Sequence, residues 1–272
     1  MLNEHLSAGL LLTVIACFTA STVQARTICT IIADATDGRP VLEHGDCATR
    51  VTPASTFKIP LAVMGFDAGV LKDAHAPRLP FKKGYANWGG EEWRQPTDPE
   101  RWLKYSVVWY SQHIARDLGA DGLTRYGKGF GYGNADFSGD PGKNNGLERS
   151  WISSSLKISP VEQVAFLRRL VNGELPVKPD AVEKTRAVVE RFDAGGGWVL
   201  QGKTGSAFPR KADGNLDRAA GWGWFVGWAE KDGRRYVFAR LDQDEKRETV
   251  SGGLRARDAV LKEWGGLIGG VR

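Results

Sequence analysis

Residues 53–60 read Pro-Ala-Ser-Thr-Phe-Lys-Ile-Pro, which sets Ser55 and Lys58 three positions apart with Phe57 and Ile59 beside the lysine. Lysine is normally a solvated residue and is almost never fully buried without a partner. On the first turn of a helix, positions three apart share a face, so the amine stands beside the hydroxyl. Apolar company disfavours the ammonium form and lowers the lysine pKa. A neutral amine can act as a base, which a serine needs because its hydroxyl is a weak nucleophile unaided. The unpaired N–H groups of the same turn can stabilise an oxyanion.

Spacing alone does not establish this chemistry, because composition predicts on the order of one Ser-x-x-Lys by chance in a chain of this length. A second example, Ser154-Ser155-Leu156-Lys157, precedes the helix N-cap expected at Ser159 and therefore lies off any helical turn. It is assigned no chemistry. Three further short motifs follow Ser55 in order: Ser106-Val107-Val108, Tyr132-Gly133-Asn134 and Lys203-Thr204-Gly205. Taken singly, the second and third are ordinary turn sequences.

The elements that must position these residues are legible in outline. Residues 27–45 alternate β-branched positions around an Asp-Gly turn and predict a hairpin. Ile59, Val63, Phe66 and Val70 then follow a helical period, with Pro60 tolerated only near the helix start. Two short helices are predicted to meet near Ser106. Ser159-Pro160-Val161-Glu162 has the form of a capping box, and Asp180 with Glu183 suggests another, opening a helix read through DAVEKTRAVVERF to Phe192. From Gly195 the period becomes that of strands, with a turn at Lys231-Asp232-Gly233, and a final helix closes the chain. Trp222, Trp224 and Trp228 alternate on one strand face and are read as core. Trp151 taken alone is also a core residue, and His113 a helix-surface one. The expected class is α+β: an antiparallel sheet flanked by helices, with an all-helical lobe inserted between sequence-distant strands.

The chain has 272 residues, a net charge of +5 and 10 Trp. The positive excess is spread along the sequence without a basic run, so no nucleic-acid partner is expected. Residues 1–25 carry an apolar run at Gly9–Ala20 and small residues before Ala25, although Glu4 is the only charged residue ahead of that run. They are read as an export signal, too short for a stable membrane anchor. Its removal takes Cys17 and leaves Cys29 and Cys47, which an oxidising compartment permits to form a disulfide across the first hairpin. His44, His75 and His113 show no metal-ligand spacing, and no metal is expected.

In this order and spacing, the four motifs resemble the penicillin-recognising serine enzymes, and specifically the class D (oxacillinase-type) serine β-lactamases. The Ser-x-Val and Tyr-Gly-Asn forms, with PASTFKIP itself, favour class D over class A, and SWISSSLKISPVEQVAFL and GWGWFVGWAE are also family-like. The resemblance implies one catalytic unit over residues 26–272, with an α/β lobe at about 26–70 and 196–272 and a helical lobe at about 71–195. It implies hydrolysis of the β-lactam ring through an acyl-enzyme on Ser55. It also implies that Lys58 carries a carboxylated amine formed reversibly with CO2, with no other cofactor. Trp151 would steady that group, Val108 and Ile152 would keep its pocket apolar, and Ser106 would relay a proton. Tyr132, Gly133 and Asn134 would shape the site. The backbone N–H groups of Ser55 and Ser206 would form the oxyanion hole. Lys203, Thr204, Gly205 and Arg255 would receive the substrate carboxylate, with Arg257 the alternative to Arg255. The implied partner is a small-molecule β-lactam and the implied location the periplasm, whereas oligomeric state does not follow from the motifs. The same motifs also occur in β-lactam sensors, which are acylated but turn over slowly, and in cell-wall transpeptidases or carboxypeptidases.

Overall fold

The computed structural model describes residues 25–269; the expected export signal, with Cys17, otherwise lies outside them. The sheet contains β1 (Arg26–Asp34), β2 (Pro40–Gly45), β3 (Arg191–Asp193), β4 (Val199–Ala207), β5 (Trp222–Lys231) and β6 (Arg234–Gln243). They lie in the order β2-β1-β6-β5-β4-β3, each neighbour antiparallel. Strand β1 is therefore zipped to β6, from the far end of the chain, as expected for a sheet interrupted by an insertion. The β5–β6 turn is Asp232-Gly233, both at positive φ (47° and 76°), the backbone that two-residue hairpins require.

Period-two alternation gives the sheet two apolar faces. Trp224, Val226 and Trp228 of β5 join Val237, Ala239 and Leu241 of β6 in the larger core. Phe225 and Ala229 face the other way with Tyr236 and Phe238. That second face is covered by α7 (Gly252–Gly269) through Ala256, Val260 and Trp264. The first face receives α5 (Pro160–Val171) and the 3₁₀ turn Ala54–Phe57. The turn leads into α1 (Lys58–Asp67), in which every residue from Lys58 to Phe66 is buried. A helix apolar on all sides belongs in an interior, and α1 occupies one, against α3 (Val108–Phe130) and α6 (Pro179–Val188). The remaining helices are α2 (Pro99–Tyr105) and the single-turn α4 (Gly146–Arg149).

Sequence expectations hold for most of these elements. The capping box is present: the Ser159 hydroxyl accepts from Glu162 N, and Glu162 accepts from Ser159 N at 2.9 Å while also pairing with Arg50. Two expectations change. Asp180 does not cap α6; it is the second residue of a helix begun by Pro179, and its carboxylate pairs with Lys184 at 2.7 Å. The helix expected to run into Phe192 stops at Val188, because Phe192 is wanted elsewhere. As part of β3 it pairs with Leu200 and packs on Phe225, ring centres 5.8 Å apart.

Cys29 and Cys47 form a disulfide between β1 and the segment after β2, across 18 residues. Closing such a loop removes entropy from the unfolded chain, and replacing both residues with alanine should cost about 2–4 kcal/mol. Urea titration of the oxidised protein and of the double variant measures this; equal midpoints would show that packing alone holds the loop.

Candidate active site

Ser55 lies in the 3₁₀ turn and Lys58 opens α1, so the change of helix type occurs between them. Ala54, just before, sits at φ 52°, a backbone region unusual for a residue with a Cβ. Lys58 Nζ donates to Ser55 Oγ at 3.2 Å. The lysine is only 1% exposed. Burial, reinforced by the positive charge of Lys203, holds its pKa well below the ordinary lysine value. Burial thus favours the neutral form of an amine aimed at the serine, as the opening motif predicts.

The pocket around the amine is aromatic and apolar. Phe57 stacks on Trp151 with ring centres 5.4 Å apart and touches Tyr132 and Phe137, each at 5.7 Å. Val108 is buried and Ile152 half-buried in the same core. Trp151 Nε1 is fully buried and has no hydrogen-bond partner among the described residues. An orphaned indole N–H costs free energy unless an acceptor meets it. The pocket therefore holds an unused donor, and a carboxylate on the Lys58 amine is an acceptor of the type it lacks.

The Lys-Thr-Gly strand closes against this turn. A Cβ on Gly205 would stand 2.9 Å from Pro53 O and 3.0 Å from Thr56 Cγ2, so only glycine lets β4 approach so closely. Lys203 is 6% exposed, and burial brings its pKa down to about 8, aided by Arg257 and opposed by Glu190. Its Nζ bonds Thr204 O at 3.3 Å and Thr204 Oγ1 at 3.4 Å. Ser206 Oγ accepts from Gly253 N of α7 at 2.8 Å. Of the two arginines considered, Arg257 pairs with Asp258 and stacks on Phe192, in the core beneath α7. Arg255 bonds Asp244 and Val250 O of the β6–α7 connection, two residues that share a recess with Ser206.

Ser106 is the left-handed hinge between α2 and α3, at φ 56° and ψ 35°. Three tryptophans brace that hinge: Trp93 Nε1 donates to Tyr105 O at 2.8 Å, Trp109 Nε1 to Trp93 O at 2.7 Å, and Trp102 Nε1 to Ser111 Oγ at 2.8 Å. Gly133 lies at φ 55°, where a Cβ would strike Lys157 O at 2.0 Å. Asn134 clamps the same segment, accepting from Lys157 N and donating to Ser155 O, each at 2.9 Å. These two residues build a wall, while the Tyr132 ring fills space behind Phe57. In the second Ser-x-x-Lys stretch, the Ser154 hydroxyl is committed to Asp140 at 2.7 Å, consistent with a structural role.

Thr52, Thr56 and Gln163 tie the Ser55 turn to its surroundings, a role that no motif assigned to them. Thr52 Oγ1 donates to Trp151 O at 2.9 Å and accepts from Ser153 N at 3.1 Å, while Thr52 O accepts from Trp224 Nε1 at 2.9 Å. Gln163 Nε2 donates to Thr56 Oγ1 at 2.9 Å, and that hydroxyl donates to Pro53 O at 2.7 Å. Thr52 adjoins PASTFKIP, Thr56 lies inside it and Gln163 falls within SWISSSLKISPVEQVAFL, so the sequence marked their neighbourhoods but not their partners.

This fold and site define a penicillin-recognising serine enzyme, and residues 24–264 match the penicillin binding protein transpeptidase domain family. The chain is 45% identical to Beta-lactamase OXA-9 of Klebsiella pneumoniae, over 89% of its length and 88% of that protein's. It is 40% identical to Beta-lactamase OXA-1 of Escherichia coli, over 86% and 82% respectively. The crystal structure of OXA-427 class D beta-lactamase superposes with a TM-score of 0.83 at 45% identity, covering 89% of this chain and 98% of that one. The chain belongs to the class D β-lactamases.

A buried neutral amine weakens the fold as pH falls, because the unfolded chain takes up a proton that the folded chain refuses. In CO2-free buffer, Lys58→Met should therefore raise stability near pH 7 by about 1–3 kcal/mol. The gain should shrink as pH approaches 10.5, the ordinary lysine value. Thermal melts of both proteins across that range test this; a variant less stable than wild type at pH 7 contradicts it.

Proposed function

We propose that this chain is an exported enzyme that hydrolyses the β-lactam ring of antibiotics through an acyl-enzyme on Ser55. The observation that carries the reading is the buried Lys58 amine on Ser55 Oγ, its pKa held well below the ordinary lysine value, with the unpartnered Trp151 N–H on the ring that stacks on neighbouring Phe57. Only a neutral amine takes up CO2, and apolar walls preserve that state. Lys58 and Trp151 would hold the resulting carboxylate, with Val108 and Ile152 excluding water around it; the group supplies an anionic base stronger than a solvated carboxylate.

The remaining steps belong to the chain's own residues. Ser55 Oγ gives its proton to the base at Lys58 as it attacks the lactam carbonyl. The backbone N–H groups of Ser55 and Ser206 receive the oxyanion, the electrostatic contribution that usually dominates acyl transfer. Ser106, fixed at its hinge, relays a proton to the departing lactam nitrogen. Lys203, Thr204, Gly205 and Arg255 bind the substrate carboxylate, with Lys203 cationic enough at neutral pH to do so. The base then activates water for deacylation, the step that distinguishes a hydrolase from a sensor or transpeptidase. Export to the periplasm is supported by the Cys29–Cys47 disulfide, a bond that persists in oxidising compartments. Among the described residues, no helix is long and apolar enough to cross a membrane.

Purified protein should turn over a chromogenic cephalosporin many times, and Ser55→Ala should abolish acylation. Stoichiometric acylation without turnover assigns the chain to the sensors instead. Lys58→Ala should slow deacylation by at least about a hundredfold, the ordinary contribution of a positioned base. Acidification protonates the amine and releases CO2, so in bicarbonate-poor buffer activity should fall with decreasing pH and recover on adding bicarbonate. Activity indifferent to bicarbonate across that range removes the carboxylated lysine from the mechanism.

A further inference from the structure

The first turn of α7 is locked to the sheet where the Lys-Thr-Gly strand ends. A Cβ on Gly253 would stand 2.7 Å from Gly205 O, and one on Gly252 would stand 2.9 Å from Gly223 Cα. The Gly253 N–H donates to Ser206 Oγ at 2.8 Å. Arg255 follows two residues later on this fixed base, but its side chain has four rotatable bonds and no fixed direction of its own.

That direction comes from the connection after β6. Arg255 Nε donates to Val250 O at 3.1 Å, and Nη2 donates to Asp244 Oδ1. Nη1 has no hydrogen-bond partner among the described residues. Asp244 is itself immobile: its side chain is 8% exposed, and its N–H donates to Gly221 O at 2.8 Å. A Cβ on Gly221 would reach 2.7 Å from Asp244 Oδ2, so the carboxylate is wedged against bare backbone. Asp244 lines a recess of about 150 Å³ that also touches Ser206, Arg218 and Arg247. Asp244, the fixed end of the pair, thus shares a recess with Ser206, the residue that follows Lys-Thr-Gly on β4.

We propose that Asp244 is a positioning residue for Arg255: it holds Nη2 while Val250 O holds Nε, so that Nη1 is presented, already ordered, to the substrate carboxylate. The inference rests on the reading of Arg255 as the carboxylate partner. An exposed arginine without such a clamp must be ordered when the ligand arrives, and ordering one long side chain costs roughly fivefold to tenfold in affinity. The clamp has a drawback, since the Asp244 charge opposes an incoming anion. Holding by hydrogen bond and opposing by charge are separable, because asparagine retains the acceptor and drops the charge.

The test is steady-state kinetics of the full chain on benzylpenicillin and on its methyl ester, in which the carboxylate is masked. Asp244→Ala should raise KM for the acid roughly fivefold to tenfold with kcat within about twofold, and leave KM for the ester unchanged. Asp244→Asn should return KM for the acid to the wild-type value or below it. Asp244→Ser serves for the alanine variant should that protein not fold. An unchanged KM for the acid in the alanine variant, an equal rise on acid and ester, or an asparagine variant as impaired as alanine overturns the proposal. Arg255→Ala separates the two readings. If it raises KM for the acid while Asp244→Ala does not, only the role of Asp244 falls; if it leaves KM unchanged, Arg255 is not the carboxylate partner.

Discussion

The rest of the site is arranged around one contact, the Lys58 amine on Ser55 Oγ inside an apolar chamber. Burying an amine without a counter-ion is costly, and the structure meets the cost by letting it be neutral. Everything adjacent serves that condition. Phe57 and Trp151 stack within the same buried core, α1 is buried along almost its whole length, and the nearby charge of Lys203 has the same sign as an ammonium. A carboxylate side chain facing Lys58 would reverse the effect by stabilising the charged form.

The second constraint is distance. Ser55 and Lys203 come from separate elements, and their approach depends on close backbone contact and on donors that bridge the turn to its neighbours. Gly205 lets β4 come against the Ser55 turn, and Thr52 ties that turn both to the Trp151 peptide and to Trp224 of the central strand. Tryptophan performs two tasks here. In the core it fills volume, and around Ser106 its N–H groups reach backbone and side-chain oxygens that a smaller aromatic residue could not. The high tryptophan content is in this sense architectural.

Much of this was legible because chemistry of this kind leaves local traces. Ser55 with Lys58, the Ser159 capping box, the Asp232-Gly233 turn and the alternating tryptophans each need only a few neighbouring residues to be recognised. The missed features act over long separations. Thr52 reaches a carbonyl 99 residues away and Gln163 a hydroxyl 107 residues away, so no window of sequence holds both partners. The strand at Arg191–Asp193 was hidden for a related reason. Its three residues carry no period of their own, and their conformation is decided by Phe225 across the sheet. Arg255 and Arg257, two residues apart, likewise meet different partners in space, Asp244 and Val250 O for one and Asp258 and Phe192 for the other, which their spacing does not show.

The pairing of β1 with β6 has a consequence for how the protein comes into being. Arg26 lies opposite Gln243, so the central seam of the sheet joins residues 217 apart. The first hairpin and its disulfide need only their own residues and can form as soon as they emerge. They must then wait, with the apolar face of β1 uncovered, until the last third of the chain arrives. Contacts this distant make folding slow relative to helical proteins of equal size. During that interval Ser55 and Lys58 are adjacent in sequence but have neither the Lys-Thr-Gly strand nor the hinge at Ser106 in place. The site is therefore assembled only when the two ends of the chain have closed the sheet.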